Sequence, residues 1–231
     1  MTAATAFSGF GPDAMEFLRG LEADNSKQYF EARRAVYKDQ VHAPLKDLVV
    51  AVGERLADGV APAIEYEPKV GRSMFRINRD LRFSKDKTPY HPHLDLAWWQ
   101  GDIAKASPGF ILRIRHDEVL TGVGVFGMAD DRLDRWRAAV LADAGAELDR
   151  IVSDVTAPPI VARVSDPSRK RGPRGFDADH ERSGWLLHDS LHVSSTHPTP
   201  PSVTSPGFAD WVVAHHAELA PLHGWLVTHV G

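Results

Sequence analysis

FILRIRHDEVLTGVGVF, residues Phe110–Phe126, contains two apolar runs, Phe110–Arg115 and Val119–Phe126. They flank the short polar turn His116–Asp117–Glu118. Two β-competent runs joined this tightly predict an antiparallel hairpin. The second run ends in GVGVFG, Gly122–Gly127, which matches G-x-G-x-x-G. A dinucleotide fingerprint needs a parallel βαβ unit, which a hairpin strand cannot supply. Asp130 and Asp131 would also set negative charge beside a pyrophosphate. The glycines are therefore read as allowing close packing and leaving space over the sheet.

Leu94–Trp99 reads as a further strand. Residues 72–83 alternate, with Ser73, Phe75, Ile77, Arg79, Leu81 and Phe83 on one face and Arg72, Met74, Arg76, Asn78, Asp80 and Arg82 on the other. Arg79 is the odd member of the apolar face, so it is expected either to be buried with a partner or to be rotated out by a bulge.

The first sixty residues read as helices. Pro12 precedes Phe17, Leu18 and Leu21 at helical spacing, and Asn25 or Ser26 caps a second helix through Tyr37. Pro44 opens a third over Leu45, Leu48, Val49, Val52 and Leu56, which Gly59 and Pro62 end. Helices are also expected over about Asp130–Ala146, over Glu147–Val155, and from Phe208 to Leu226 with a break near Pro221. Arg169–Asp177 reads as a basic loop and Ser195–Gly207 as a proline-rich connector. Helices, consecutive strands and helices again give an α+β fold: a mainly antiparallel sheet flanked by N-terminal and C-terminal helical blocks, in a single domain spanning residues 1–231.

With no cysteine among 231 residues, disulfides, thiolate nucleophiles and Cys-based metal centres are excluded. The N-terminus lacks the basic and apolar regions of a signal peptide, and no run of about eighteen apolar residues occurs. A cytoplasmic protein with no membrane partner is the expectation. A pI near 6.3 disfavours broad nucleic-acid binding. Twelve histidines raise the question of a metal. His188 and His192 are read at i, i+4 on a helix, and His91 and His93 flank Pro92. Neither pair has an HExxH pattern or a third ligand, so no metal site is expected.

The strongest charge feature is KVGRSMFRINRDLRFSKDKTPY, Lys69–Tyr90. Lys69, Arg72, Arg76, Arg79, Arg82, Lys85 and Lys87 oppose only Asp80 and Asp86. The segment carries about +5 inside a chain of formal charge −4. Two like charges about 6.5 Å apart repel by roughly 2.5 kcal/mol at an effective dielectric of 20, so carboxylates or a bound anion must compensate. Three readings stand: a structural ion-pair network, a small-molecule anion site, and a nucleic-acid surface. The last is the least favoured, having no nucleic-acid-binding signature behind it.

R-x-x-R-D-x-R-F followed by D-K-x-x-Y stands here as Arg76, Arg79, Asp80, Arg82, Phe83, Asp86, Lys87 and Tyr90. It resembles the hallmark of the uncharacterised family domain of unknown function 2461. The opening F-x-G-F, the Asn25–Phe30 region and the late PLHGWL (Pro221–Leu226) are similar to that family as well. The resemblance implies one full-length domain and brings no activity, cofactor or partner with it.

The leading expectation is recognition of a small phosphate- or carboxylate-bearing ligand by Arg76, Arg79 and Arg82, whose planar forks suit such groups. For catalysis the candidates are Asp80, Lys87 and Tyr90. Asp80 lies among guanidinium groups that lower its pKa, and Lys87 is read as a stabiliser of a Tyr90 phenolate. The residues name no cofactor and leave the oligomeric state open.

Overall fold

The structure is a computed structural model that describes residues 6–101 and 106–231. Residues 1–5, where the segment read for a leader begins, and residues 102–105 lie outside the described residues. The sheet is built from β1 (Leu94–Trp99), β2 (Gly109–Ile114), β3 (Glu118–Val125), β4 (Arg163–Val164) and β5 (Leu191–Pro198). It is ordered β1-β2-β3-β5-β4, and every pairing of these strands is antiparallel. The expected hairpin is β2–β3, with Ile114 opposite Val119 across the turn.

Strand alternation sends Leu94, Leu96, Trp98, Phe110, Leu112, Ile114, Val119, Val123, Leu191 and Val193 into one buried cluster with the helices. Burying side chains of this size contributes about 1.5–3 kcal/mol each. The N-terminal block comprises α1 (Ala14–Ala23), α2 (Lys27–Ala32), the single turn α3 (Arg34–Val36), a π-helical turn at Tyr37–His42, and α4 (Ala43–Gly59). Ser26 caps α2 by accepting a hydrogen bond from the Tyr29 N–H at 3.0 Å. Helix α4 reaches the sheet where the Trp98 indole donates to the Val49 carbonyl at 2.9 Å.

The remaining helices are α5 (Asp130–Leu141), α6 (Asp143–Thr156), α7 (Gly207–Glu218) and α8 (Ala220–His229). Phe110 stacks on His216 of α7 and His223 of α8, at centroid distances of 5.0 and 4.6 Å. The N-terminal and C-terminal blocks thus pack on the same sheet face. The molecule is an α+β fold with an antiparallel sheet. Among the described residues no helix is long and apolar enough to cross a membrane.

Several expectations are corrected. The helix expected over Asp130–Ala146 divides at Ala142, whose backbone is extended. Arg182 donates to the Val140 carbonyl at 2.9 Å and so caps the end of α5. A Cβ on Gly145 would fall 2.0 Å from that same carbonyl, so only glycine lets α6 turn back this closely. The Ser195–Gly207 connector begins inside β5, because pairing with β3 buries Leu191, Val193 and Ser195 despite the polar sequence. His188 and His192 share no helix: His188 follows a short 3-10 turn, Ser183–Leu187, and His192 belongs to β5. Residues 72–83 form no continuous strand. Met74 bridges Leu96 and Asn78 bridges Tyr90, and the backbone shifts phase between these two points. Met74 and Ile77, three residues apart, are consequently both buried, while Phe75 is exposed.

Candidate functional site

The arginine segment first runs along the outer edge of β1, where the Phe75 N–H donates to the Asp95 carbonyl at 3.1 Å and the Ala97 N–H to the Ser73 carbonyl at 2.9 Å. It then leaves the sheet as a loop, closed where the Arg79 N–H donates to the Pro89 carbonyl (2.9 Å) and the His91 N–H to the Ile77 carbonyl (2.7 Å). A loop projected from an edge gathers its charges locally, and two of the three expected ligand arginines are spent this way.

Arg79 pairs with Asp86 and donates to Thr88. The Thr88 N–H and hydroxyl also donate to Asp86, at 2.9 Å each. The Thr88 N–H first, and Arg79 second, hold the Asp86 carboxyl at about 2. Arg82 forks onto Asp80, with Nε 3.0 Å from Oδ1 and Nη2 2.6 Å from Oδ2, and so lowers its pKa. Arg76 is exposed and forms no ion pair among the described residues.

The proposed proton-transfer groups have separate partners. Lys87 Nζ donates to the Leu81 carbonyl at 3.0 Å. Tyr90 is buried and stacks on Phe30 at 4.3 Å, with the rings 11° from parallel. Burial pushes the Tyr90 phenol up, opposite to the direction expected from a neighbouring lysine. Lys87 is engaged by the loop backbone and Tyr90 by the helical block.

A hollow of about 550 Å³ opens beside this loop. It is lined by Phe30, Arg34, Ala35, Tyr37, Lys38, His42 and Asn78. Each wall has a local cause. Asn25 bonds to both backbone groups of Tyr90, accepting from its N–H at 2.9 Å and donating to its carbonyl at 3.0 Å. Tyr90 thereby carries its bridge partner Asn78 to the rim. The opposite wall is the π-helical turn, a form frequent at functional sites. Gln40 pins this turn: its side chain accepts from the Asp13 N–H at 3.0 Å and donates to the Asp13 carboxylate at 3.1 Å.

Arg34, Lys38 and His42 stand four residues apart. On an ordinary helix such a row drifts by about 40° per step, and the wider π winding reduces the drift. Sequence reasoning missed these three, and the four-residue spacing of cations was the signal available. No carboxylate lines the hollow. Arg34 is contacted by the exposed Glu31 at 3.1 Å, and Lys38 has no ion pair among the described residues. Burial, and then Lys46, pull His42 below its ordinary value, so its ring is neutral at pH 7. Two cations, an amide and a neutral imidazole over an apolar floor form a set that can hold an anion joined to an apolar body.

The sequence model of one family, described as Conserved hypothetical protein (DUF2461), matches residues 13–225. No curated protein matches the chain.

Proposed function

The chain belongs to the DUF2461 family, and from that premise we propose that it is a cytoplasmic, single-domain protein, residues 1–231, that binds a small phosphate- or carboxylate-bearing molecule in the hollow beside Asn78. One observation carries the reading: the lining holds Arg34 and Lys38 and no acid. Arg34 is offset only by the exposed Glu31 outside the lining, and Lys38 by no carboxylate among the described residues; such positive charge over an apolar floor favours an anion that brings its own apolar surface. Arg76 stands two residues before Asn78, is exposed and forms no ion pair among the described residues.

Binding is favoured over catalysis. Asp80 is committed to Arg82, Lys87 to a backbone carbonyl, and the Tyr90 phenol is buried. A second reading, a scaffold with no ligand, is favoured by the local pairing of Arg79 and Arg82. Nucleic acid is the weakest partner, because the wider chain is acidic.

Thermal denaturation with phenyl phosphate, benzoate and neutral phenol separates these readings. A ligand at one hundred times its Kd adds about 2.7 kcal/mol of stability. The expected result is saturable stabilisation by the anions, lost in the Arg34→Ala/Lys38→Ala double variant. Anions that leave Tm unmoved, or that act equally on the folded double variant, would sink the proposal and favour the scaffold.

A further inference from the structure

The glycines of GVGVFG shape the sheet face that the helical blocks leave alone. One row crosses the strands there: Ala97 pairs with Ile111, Ile111 with Gly122, Gly122 with Ser194, and Ser194 with Arg163. Gly109 opposite Gly124, and Gly124 opposite His192, form the next row. Along these rows glycine, alanine and serine are interspersed with the larger Ile111, His192 and Arg163, so the face is low over Gly122 and Gly124. A Cβ on Gly122 would sit 3.0 Å from both Ile111 Cγ1 and Ser194 Cβ.

The result is a hollow of about 670 Å³, within the roughly 300–1,000 Å³ that small-molecule sites occupy. Its apolar walls are Phe75, Ile111, Leu120 and Phe126. Phe126, 43% exposed, packs against the His192 ring at a centroid distance of 3.9 Å and keeps apolar surface at the border of the hollow.

The charges at its ends are unequal. Near β1, Arg113 forks onto Asp95 at 2.7 and 2.9 Å, and His93 lies 3.4 Å from the same carboxylate. That end is self-satisfied. At the other end Arg163 has a single carboxylate within 4.0 Å among the described residues, Asp166 at 3.9 Å, and its side chain is 83% exposed. A guanidinium with its fork unfilled, at the end of an apolar trough, complements a carboxylate on a hydrocarbon chain. From Ala97 to Arg163 the row crosses four strand spacings, roughly 19 Å, so the occupant is elongated.

We propose that this hollow binds a long-chain carboxylate, its hydrocarbon lying across Ile111, Gly122 and Ser194 and its carboxylate on Arg163. The site is separate from the one beside Asn78 and does not rest on it. Isothermal titration of the full chain with laurate, using dodecanol as the neutral control, tests it. Laurate is expected to bind one to one, at least tenfold more tightly than dodecanol. Arg163→Glu should remove that advantage, Ser194→Leu should block both compounds, and Arg34→Ala/Lys38→Ala should change neither. Should Ser194→Leu fail to fold, the exposed Arg163→Glu carries the test. Absence of saturable laurate binding, equal affinity for dodecanol, an unaltered Arg163→Glu variant, or loss in the Arg34→Ala/Lys38→Ala variant overturns the inference.

Discussion

Asn25 holds Tyr90 by both backbone groups, 65 residues away in sequence, through hydrogen bonds of 2.9 and 3.0 Å. This pair fastens the arginine loop to the N-terminal helices and fixes one rim of the hollow beside Asn78. Asn25→Ala removes both bonds in a half-buried setting, at about 1 kcal/mol each plus the cost of stranded groups. A loss of about 2–3 kcal/mol is expected from urea denaturation, together with weaker anion binding. A loss below 0.5 kcal/mol would mean that the clamp is incidental.

Asp86 reports on Arg79. Its carboxyl sits at about 2 because Thr88 and Arg79 both donate to it. In Arg79→Ala the Asp86 pKa should rise yet stay below 3.8, since the Thr88 donors remain. Carbon-detected NMR titration measures this directly, and an unmoved pKa would refute the pairing.

Arg82 should matter little to stability. Its pair with Asp80 is exposed on both sides, where solvent screening leaves such bridges little weight. Arg82→Ala is expected to shift the urea midpoint only slightly and to leave phenyl phosphate affinity within twofold. A tenfold loss of affinity would return the anion site to the loop itself.

Acid stability should be set first by two histidines. Burial lowers both His216 and His223 from 6.5 to about 4. Their folded pKa values lie below the unfolded one, so between pH 6.5 and 4 the unfolded chain binds more protons. Stability is then full above about pH 6.5 and falls as pH drops toward 4, by roughly 3 kcal/mol for His216 alone. His216→Phe, which keeps the ring against Phe110, should flatten the slope of unfolding free energy with pH. An equally steep slope in that variant would rule His216 out as its source.

Gly9 is expected to tolerate no side chain. Its φ is +107°, and a Cβ would lie 2.2 Å from the Thr204 carbonyl carbon, which is backbone and cannot yield cheaply. Strained φ of this kind costs about 1–3 kcal/mol before the clash is added. Gly9→Ala should lower Tm by several degrees; an unchanged Tm would show that the opening loop is not docked as described.

The hairpin Phe110–Phe126 and the strand Leu94–Trp99 were legible because alternation is a local property, and burial of one face followed it. The caps and breakers Ser26, Pro44 and Pro221 marked helix ends for the same reason: each acts on its own backbone. Strand β5 was hidden, since LHVSSTHP is too polar to announce a strand that lies between two others. The break at Ala142 was hidden too, because Arg182, forty residues later, caps the chain there.

By itself the sequence established the α+β class, the absence of thiol chemistry, and a concentration of guanidinium that had to be compensated. Only the tertiary structure determined how. Asp80 and Asp86 neutralise Arg82 and Arg79 within one loop, whereas Arg34, paired only with the exposed Glu31, and Lys38, without an ion pair among the described residues, line a hollow built by other elements. Charge composition is a sum over residues and can be counted along the chain. Which cation faces which acid depends on distances across the fold, and those exist only once Asn25 meets Tyr90 and Gly122 meets Ser194.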